Sequence, residues 1–547
     1  MKLRTLVTTI GIAGVLSAGM FSSSAAKDKL PPLSKDEYKK ATQIYFDRCA
    51  GCHGMLRKGA TGPNLEPKTL KKKGLNLEAI KAFIYYGTPG GMPDWGKQGV
   101  MTKEEIDLVA RYLFHPPAEP PEMSLEQMKK TWRVFVPPEQ RPTEPAHSRN
   151  WKNFFGVILR DVGKVAIIDG DTKELVNIVD TGFAVHILRS SASGRYFLSI
   201  GRDGKTTLID LWLPKPDKVA EVKNCYDARS VDVSKYEGKF GDFKDKYVVT
   251  GCYWPPSFVI MDGQTLEPLK IVNTSGYTYD TNEFLREARV ASIVASHDKP
   301  EWVINIKETG KTWLVNYEDI HNLGVKMIDA ERFLHDGGWD YSKRYFLVAA
   351  NMRNKVAVID TEEGRLEALV DTGVKPHPGR GANVYNLQYG PIWCTGHIGE
   401  PSIVCIGVDK RNHPEYAWKV VKKIKLPGKG GGNLFVKTHP RSKYMFADRA
   451  INPDPKLQRS FHVIDKQSLK VVKTIEIPKK YKGRAVHLEF NDKGDEVWIS
   501  VWGKKTEPSA ILVYDANTLK LKKAITGDWV RTPTGKFNVY NTMRDVY

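Results

Sequence analysis

The sequence has no long hydrophobic run beyond its first residues, and it has few cysteines. No segment after Ala26 holds about eighteen apolar residues in succession, which a helix needs to span a bilayer. There are six cysteines among 547 residues, and no motif for nucleic-acid binding is present. We therefore predict a protein with no membrane span and no nucleic-acid partner.

The first 26 residues have the pattern of a secretory signal peptide. Lys2 and Arg4 form a basic start, residues 6–20 are apolar with many small side chains, and residues 24–26 offer a small-residue cleavage site. The apolar stretch is too short and too rich in Gly and Ser for a membrane span. We expect a soluble, exported mature protein, which in a bacterium places it in the periplasm.

Basic residues outnumber acidic ones. The 83 Lys and Arg against 63 Asp and Glu give a formal net charge of +20, and removal of the predicted signal, which carries two basic and no acidic residues, leaves +18. Solubility alone would account for such an excess. A positive field also raises the local concentration of anions and acidic partners.

Residues 49–53 read Cys-Ala-Gly-Cys-His, the C-x-x-C-H attachment sequence of a c-type haem. Cys49 and Cys52 would add to the porphyrin vinyl groups, and His53 would become an axial iron ligand. A CxxC pair alone would also fit a zinc or redox site, but the adjacent histidine in an exported chain favours haem attachment.

Four cysteines remain outside this motif: Cys225, Cys252, Cys394 and Cys405. An oxidising compartment permits disulfide bonds. The spacings of these residues do not demand pairing, so we predict buried thiols.

Helical patterns surround the haem motif. Capping boxes at residues 34–37 and 102–105 open two helices, the second over residues 103–114, and another helix is predicted near residues 77–86. Met92 lies in a Gly/Pro loop about forty residues after the motif. It is our prediction for the opposite axial ligand, since Met/His ligation gives an electron-transfer haem with a raised potential; simple packing is the alternative role, and Met55 and Met101 are rival ligands.

This arrangement resembles a small class I cytochrome c domain, which we place at residues 27–117. Proline-rich stretches at 116–121 and 137–145 are semi-rigid. They predict a linker over residues 118–150.

Beyond the linker, short β-branched runs alternate with turn residues, and an apolar run followed by an acidic or polar turn recurs eight times. The spacing of roughly 40–60 residues suits four-stranded blades. We therefore predict a multidomain chain, in which an all-α cytochrome c domain precedes an all-β, eight-bladed propeller at residues 151–547. The repeated runs are residues 165–169, 207–210, 258–262, 313–316, 356–360, 403–407, 461–465 and 511–515.

Histidines are the first candidates for chemistry in the propeller. Strand alternation puts His186 on the face opposite Val185 and Ile187, where a hydrogen-bonded core histidine is the alternative. His335 falls where a strand should end, and prolines flank His377. Imidazole has a pKa near working pH and suits acid–base work. Local sequence does not separate these from other histidines of the propeller, namely His297, His397 and His439.

Several arginines adjoin these sites. A solvated surface is one explanation, and a pocket for a polycarboxylate or small anion is the other, because the guanidinium fork fits carboxylates. The arginines are Arg160, Arg189, Arg202 and Arg380.

Local stretches across residues 34–547 resemble the cytochrome cd1 nitrite reductase family. These are Cys-Ala-Gly-Cys-His-Gly (49–54), Gly-Met-Pro-Asp-Trp-Gly (91–96), the segments 180–186, 253–256, 332–338 and 377–380, and the terminal segment 532–542. The combination is far more specific than the haem motif alone.

The resemblance implies a covalent haem c, a non-covalent haem d1 in the propeller, and one-electron reduction of nitrite to nitric oxide in a periplasmic homodimer. It implies a small soluble electron donor, a c-type cytochrome or a cupredoxin, and the basic charge suggests an acidic one. By motif, His53 and Met92 ligate haem c, His186 ligates haem d1, and His335 with His377 binds nitrite and donates protons. The same carry-over assigns the haem d1 carboxylates and pocket to Arg160, Arg189, Arg202, Arg380, Tyr253, Phe435, Thr534, Gly535 and Phe537.

The sequence departs from the family in two places. Some members have a long N-terminal arm whose tyrosine caps the haem d1 iron, but here only residues 27–32 precede the first helix and Tyr38 falls inside it. We predict no tyrosine iron ligand from this arm. His487 stands where relatives carry glutamine near the haem d1 ring, where it would add a proton donor or alter packing.

Two other functions fit the same domain order. The related dehydrogenase of haem d1 biosynthesis oxidises a haem d1 precursor, and retention of both His335 and His377 favours nitrite reduction over it. A non-catalytic carrier of electrons or haem would bind haem without turnover.

Overall fold

The computed structural model describes residues 33–59, 62–88, 92–97 and 99–547. A small helical domain precedes a ring of β-sheets. The predicted signal peptide, the short arm that follows it and Gly91 of the methionine loop lie outside the described residues. Within the described ranges, no helix is long and apolar enough to cross a membrane.

The helices of the first domain begin where the sequence predicts them. At Ser34 and again at Thr102, the side chain accepts a hydrogen bond from the N–H three residues on, and the glutamate at that position accepts one in return. Such capping boxes satisfy N–H groups that a helix start leaves unpaired. The helices are α1 (Lys35–Ile44), α2 (Ala50–His53), α3 (Pro67–Lys72), α4 (Leu77–Tyr86), α5 (Lys103–Tyr112), α6 (Leu125–Thr131), α7 (Pro455–Gln458) and α8 (Val539–Met543).

Strands make up most of the remaining chain. They are β1 (Arg133–Val134), β2 (Phe154–Leu159), β3 (Lys164–Asp169), β4 (Leu175–Asp180), β5 (Val185–Ser190), β6 (Tyr196–Gly201), β7 (Lys205–Asp210), β8 (Asp217–Lys223), β9 (Asp227–Val233), β10 (Glu237–Gly238), β11 (Gly241–Asp242), β12 (Tyr247–Trp254), β13 (Ser257–Asp262), β14 (Pro268–Asn273), β15 (Gly276–Tyr277), β16 (Phe284–Leu285), β17 (Val290–Ala295), β18 (Glu301–Ile306), β19 (Lys311–Asn316), β20 (Gly324–Asp329), β21 (Leu334–Trp339), β22 (Tyr345–Ala350), β23 (Lys355–Asp360), β24 (Arg365–Asp371), β25 (Pro376–Asn386), β26 (Gly390–His397), β27 (Ser402–Gly407), β28 (Val420–Lys425), β29 (Val436–Thr438), β30 (Tyr444–Asp448), β31 (Ser460–Asp465), β32 (Lys470–Glu476), β33 (Arg484–Phe490), β34 (Glu496–Trp502), β35 (Ala510–Asp515), β36 (Leu521–Thr526) and β37 (Pro533–Asn538).

Residues 151–547, all of them described, form the predicted eight-bladed propeller, with four antiparallel strands in each blade. Each of the eight repeated apolar runs lies in the third strand of a blade, counted from the ring axis. The third strands are buried along most of their length because neighbouring blades cover both of their faces.

The ring closes through strands from the two ends of the propeller sequence. Strand β37 pairs with β2 and becomes the innermost strand of the first blade. The Asn538 side chain donates a hydrogen bond to the Asn153 side chain at 2.9 Å, across 385 positions of sequence. Closure supplies the innermost strand of the first blade, and the ring leaves each blade only short edges.

The segment between the two domains is attached to the propeller. Residues 118–150, which the sequence predicts to be a proline-rich linker, contain α6 and β1. Strand β1 pairs with β8 and adds a fifth strand to the second blade. Met128 of α6 is buried in the core between the second and third blades.

The prediction of four buried thiols is wrong. Cys225 is bonded to Cys252, and Cys394 is bonded to Cys405. Cys394 and Cys405 lie directly opposite each other on β26 and β27, where the register brings their Cα atoms within 4.0 Å. Sequence spacing does not reveal strand register, so this pairing could not be inferred from the chain alone.

The helical domain lies against one end of the ring. The Glu287 carboxylate accepts hydrogen bonds from the Met55 N–H at 2.7 Å and the Leu56 N–H at 3.3 Å. Trp254 of β12 packs in the core of the helical domain, and its indole N–H donates to the Pro121 carbonyl at 2.7 Å. These contacts hold the C-x-x-C-H motif next to the propeller.

Candidate active site

The C-x-x-C-H motif lies at the C-terminal end of the continuous helical segment that begins with α1. One π-helical turn over Tyr45–Cys49 leads into α2, which carries the second cysteine and the histidine. Cys49 and Cys52 form no disulfide, so both sulfurs are available for thioether bonds. The ring nitrogen Nδ1 of His53 is bonded to the Pro63 carbonyl at 2.8 Å. That bond leaves Nε2 for an iron and fixes the ring, as partners of metal-bound histidines commonly do.

Met92 lies in the loop after α4. The chain turns at Gly87, whose φ of 70° favours glycine, and the Thr88 N–H donates to the Met92 carbonyl at 3.1 Å. The Met92 side chain packs against the core of the helical domain, and the rivals Met55 and Met101 are buried in that same core. The role of Met92 as an iron ligand stays a prediction.

The propeller axis contains a cavity of about 300 Å³, and it is lined mainly by the innermost strands of the blades. In residues 151–547, seven of the eight innermost strands change register against their neighbour, which is the mark of a β-bulge. A bulge re-aims a side chain out of the regular alternation of a strand. The bulged positions that line the cavity are His186, Arg229, Ala291, His335, Asp336, Gly379, Arg380, Gly381, His487, Thr534 and Gly535.

His186 is one of these bulged residues. Val185 pairs with Gly201 and Ile187 with Ile200, so the histidine between them has no partner in the ladder. Two residues earlier, Ala184 has a φ of 48°, in the left-handed region, so the backbone is irregular where the strand begins. The simple alternation that the sequence predicts is therefore broken, and all of residues 185–187 line the cavity. Among the described residues, none forms a hydrogen bond with the His186 side chain, which borders the open space of the cavity.

The environment keeps His186 neutral. Burial of the ring, followed by the charges of Arg229, Arg202, Arg160 and His335, lowers its pKa well below the ordinary value. A neutral imidazole has a lone pair to offer a metal. Its surroundings therefore suit an iron ligand.

His335 and His377 lie together on another side of the cavity, as the resemblance implies. Their ring centres are 5.1 Å apart. His335 Nδ1 contacts Asp336 Oδ1 at 2.9 Å, and His377 Nδ1 contacts the Leu434 carbonyl at 2.8 Å. Burial and then Lys307 lower the pKa of His335 to about 4, against the opposite pull of Asp336.

Three of the four predicted arginines line the cavity. They are Arg160, Arg189 and Arg380. Nε of Arg189 and Nη1 of Arg380 are buried and have no hydrogen-bond partner in the described residues. Burial, with the nearby Arg380 second, lowers the pKa of Arg189 to about 10. Buried donors without partners are costly, and carboxylates are the groups that would satisfy them.

Arg202 and Tyr253 are not among the residues that line this cavity. Arg202 is bonded to Asp227 at 3.1 Å, and its guanidinium lies close against Gly51 of the haem motif. Asp227 also accepts a hydrogen bond from Arg229 at 3.0 Å. Arg229 lines the cavity, and its guanidinium lies over the Tyr253 ring at 4.6 Å. Arg202 and Tyr253 are therefore separated from the cavity by Arg229.

Aromatic rings contribute to another part of the wall. Four of the five pocket residues predicted besides the arginines line the cavity, namely Phe435, Thr534, Gly535 and Phe537, and Tyr253 does not. His487 joins them, with ring centres 4.6 Å from Phe435 and 5.2 Å from Phe537. The backbone N–H of His487 donates to Asp448 at 3.0 Å, and its ring Nδ1 accepts from the Lys536 backbone N–H at 3.3 Å. Burial, and then Lys536, lower the pKa of His487 well below the ordinary value, so its ring is a neutral one.

Sequence reasoning missed several residues of the wall. Asp336 follows His335 directly and could have been found as a carboxylate beside a candidate histidine. Arg229 and Trp502 have no local signal, because a bulge and a blade boundary bring them to the cavity. Lys437 and Glu489 form a buried pair at 3.4 Å, on different blades, that no spacing predicts.

These residues fit two haem groups. Two unpaired cysteines and a histidine with a free Nε2 match covalent attachment of a haem c. A cavity with one free imidazole, flat aromatic walls and unsatisfied buried guanidinium donors matches a flat, carboxylate-bearing tetrapyrrole. The class of protein is thus a haem-carrying redox protein with a cytochrome c domain and a cofactor-binding propeller.

Comparison with known proteins gives the family. Residues 149–542 match the cytochrome D1 heme domain, and residues 36–113 match the family described as cytochrome C oxidase, cbb3-type, subunit III. A curated nitrite reductase of Stutzerimonas stutzeri is 51% identical over 98% of both chains. The chain belongs to the cytochrome D1 heme domain family.

More distant relatives share the two-domain layout. A dihydro-heme d1 dehydrogenase of Pseudomonas aeruginosa is 26% identical over 91% of this chain and 93% of its own. A solved structure of dihydro-heme d1 dehydrogenase NirN in complex with DHE has a TM-score of 0.70 at 25% identity and covers 92% of this chain and all of its own.

Proposed function

We propose that this protein is a nitrite reductase, which uses haem c and haem d1 to reduce nitrite to nitric oxide. The reaction takes one nitrite, one electron and two protons, and it yields nitric oxide and water. Bound haem d1 would supply the iron and the one-electron chemistry. The protein must supply an anion site, two protons and a path for the electron.

The placement of His335 beside His377 in the axial cavity is the observation that carries this proposal. Loss of an oxygen atom as water requires protons, and two imidazoles at one site can deliver them. Each ring has its Nδ1 bonded to a fixed acceptor, which leaves its Nε2 for substrate. His335 and His377 are our catalytic residues.

The other assignments follow from the cavity wall. His186 would ligate the haem d1 iron, and Arg189 and Arg380 would bind its carboxylates through their unsatisfied donors. Arg160, Phe435, Thr534, Gly535 and Phe537 would complete the pocket, with Tyr253 supporting it through Arg229. Arg202 would act from behind Arg229 through their shared Asp227.

The electron would enter through the cytochrome c domain, with Cys49 and Cys52 holding haem c and with His53 and Met92 as its axial ligands. The haem motif lies against the propeller, because the Arg202 guanidinium contacts Gly51. The donor would be a small soluble c-type cytochrome or cupredoxin. The net charge of +20 favours an acidic one.

Residues 1–26 support export to the periplasm, with removal of the signal peptide. The mature enzyme would be a homodimer, as the family resemblance implies.

The test is nitric oxide evolution from nitrite by purified protein under anaerobic conditions with a reduced donor. The optical spectrum of the same sample must first confirm both haems. Steady production of nitric oxide supports the reductase, and its absence from a fully loaded sample contradicts it.

The second candidate is oxidation of a haem d1 precursor, because the likeness to dihydro-heme d1 dehydrogenase extends over 92% of the chain. An assay for oxidation of dihydro-haem d1 by the same preparation separates the two functions. Precursor oxidation without nitric oxide formation would favour the dehydrogenase.

A further inference from the structure

One carboxylate joins the two histidines of the cavity. Asp336 is the residue after His335, in the bulge where β21 leaves register with β22. Its Oδ1 lies 2.9 Å from His335 Nδ1, and its Oδ2 lies 3.6 Å from His377 Nδ1. The same Oδ2 accepts a hydrogen bond from the Gly379 N–H at 2.5 Å, which ties β21 to β25.

The carboxylate is ionised in this setting. Burial alone would raise the pKa of Asp336, but the neighbouring His377 and His335 bring it down to about 2. An ionised carboxylate can only accept hydrogen bonds. The proton between Asp336 and His335 must therefore be on His335 Nδ1, which fixes the tautomer with a bare Nε2 in the neutral ring.

The second histidine is held from two sides. His377 Nδ1 faces the Leu434 carbonyl at 2.8 Å, and a carbonyl also only accepts. Gly379 has a φ of 68°, and a side chain there would meet the Phe435 ring at 2.9 Å. Glycine at position 379 thus lets the backbone N–H of the β25 bulge reach Asp336.

We infer that Asp336 is a positioning residue for nitrite reduction, which orients His335 and His377 so that both present Nε2 to the substrate and which stabilises the imidazolium form of each. This inference rests on the proposed function. It extends that function, because it explains how the imidazolium rings of His335 and His377, which repel each other, can both lie beside one nitrite anion.

Other charges act on the pair, and they set the direction of the expected pH effect. Burial, Lys307 and a charged His377 lower the pKa of His335, while Asp336 raises it. Of the charged groups that act on His335, namely Lys307, His377 and Asp336, the carboxylate of Asp336 is the acidic one, and Asp336→Asn removes its charge. The pKa of His335 must then fall, and less of it is protonated at any given pH.

The test is Asp336→Asn in the full-length, haem-loaded protein. We expect kcat for nitrite to fall roughly 10- to 100-fold and KM to rise, since the same two rings bind the anion and donate its protons. The descending limb of the pH–rate profile should move to lower pH by about one unit. Reduction of haem c by the donor should keep its wild-type rate.

A double-mutant cycle separates positioning from a general structural effect. In a His335→Ala background, Asp336→Asn should cost several-fold less than in the wild type, because its principal partner is already gone. Equal losses in the two backgrounds would overturn the inference, and so would a wild-type rate and pH profile in the single variant.

Asp340→Asn is the matched control. Asp340 is also a buried carboxylate just beyond the same strand, but it binds Ser342 and the Tyr345 N–H away from the cavity. We expect its kcat and pH profile to match those of the wild type. Thermal unfolding and haem d1 content of each variant identify any folding defect.

Histidine-selective ¹⁵N NMR tests the tautomer without turnover, with the His335 signal assigned through His335→Ala. The wild type should show a proton on Nδ1 of His335, and Asp336→Asn should show a mixture or the other tautomer. A wild-type Nε2–H tautomer would overturn the inference whatever the enzyme assay gives. Absence of nitric oxide from the wild type with the expected tautomer would contradict the proposed function alone.

Discussion

The two domains carry their haem sites in opposite ways. In the helical domain, five consecutive residues supply two cysteine sulfurs and a histidine, and one turn of helix sets their geometry. In the propeller, the cavity is built from bulges on seven innermost strands of residues 151–547. The local site can be recognised as a sequence motif, whereas the distributed site forms only after the propeller ring has closed.

The largest expected effect removes the local site and spares the distributed one. Replacing Cys49 and Cys52 together by alanine should abolish covalent haem, because no thioether can form. Donor-driven nitric oxide production should then stop, since the electron path is broken. The propeller should still take up haem d1, visible in its optical bands. Loss of haem d1 binding as well would show that the two sites are not independent.

Within the distributed site, the two histidines should matter most. His335→Ala and His377→Ala should each lower the nitrite reduction rate by roughly 10²- to 10⁴-fold, the usual contribution of acid–base groups. Stopped-flow reduction of haem c by the donor should be unaffected, because that step lies in the other domain. His462→Ala is a matched control, since His462 is a buried propeller histidine in a blade that holds neither His335 nor His377. Its ring is bonded to Thr474 of the neighbouring strand. Unchanged turnover in both active-site variants would refute their assignment.

The join between the domains can be broken at one buried carboxylate. Asp227→Asn leaves Arg202 and Arg229 without their shared partner, and an uncompensated buried charge costs about 3–5 kcal/mol of unfolding free energy. The pairing works only while Asp227 is ionised, and the two arginines hold its pKa below the ordinary value in spite of burial. Thermal and denaturant unfolding measure the loss.

Asp180→Asn is the control for that variant. The Asp180 carboxylate is mostly exposed and contacts Lys164 at 3.1 Å, so its loss should change stability by less than about 0.5 kcal/mol. A small effect at both positions would show that the buried ion pairs do not stabilise the join.

The pH dependence should differ between the domains. The pKa of His335 is lowered to about 4, so its charged form dominates only below that pH. A step that needs the protonated ring should accelerate as pH falls from 7, by up to about tenfold per pH unit until the pKa is approached. Haem c reduction should follow no such trend. Equal pH profiles for the two steps would place the controlling group outside the cavity.

The smallest effect is expected at His487, which we predict from the family resemblance to replace a glutamine. His487 is neutral and uses its Nδ1 and its backbone N–H in the wall. The glutamine side chain offers an acceptor for the Lys536 N–H, and the backbone N–H to Asp448 is kept, so His487→Gln should retain nitrite turnover within a few-fold. His487→Leu, which keeps the backbone N–H but loses the side-chain acceptor, is the contrasting variant. A large loss with glutamine would assign His487 a role in proton supply.

Much of the fold follows from local patterns. All eight repeated apolar runs are third strands, because those strands are covered on both faces and must be apolar throughout. The capping boxes at Ser34 and Thr102 are where the sequence predicts them, since capping depends on neighbours only three residues away.

The site was less predictable because its residues meet through register and bulges. The Cys394–Cys405 bond depends on which strand positions face each other. Arg229 reaches the cavity through a bulge, and Arg202 lies behind it although both are arginines at strand ends. The family resemblance brought His335 and His377 together, but nothing in the sequence indicated that Asp336 contacts both.

Closure of the ring by β37 has a consequence for how the enzyme is made. Thr534 and Gly535, which line the cavity, belong to a strand that pairs with β2 from the other end of the propeller. The pocket therefore does not exist while the chain is still being synthesised or translocated. A non-covalent tetrapyrrole can be received only after the last blade is in place, whereas the C-x-x-C-H motif is complete as soon as the first domain has emerged. Attachment of haem c can therefore precede closure of the ring, whereas uptake of haem d1 cannot.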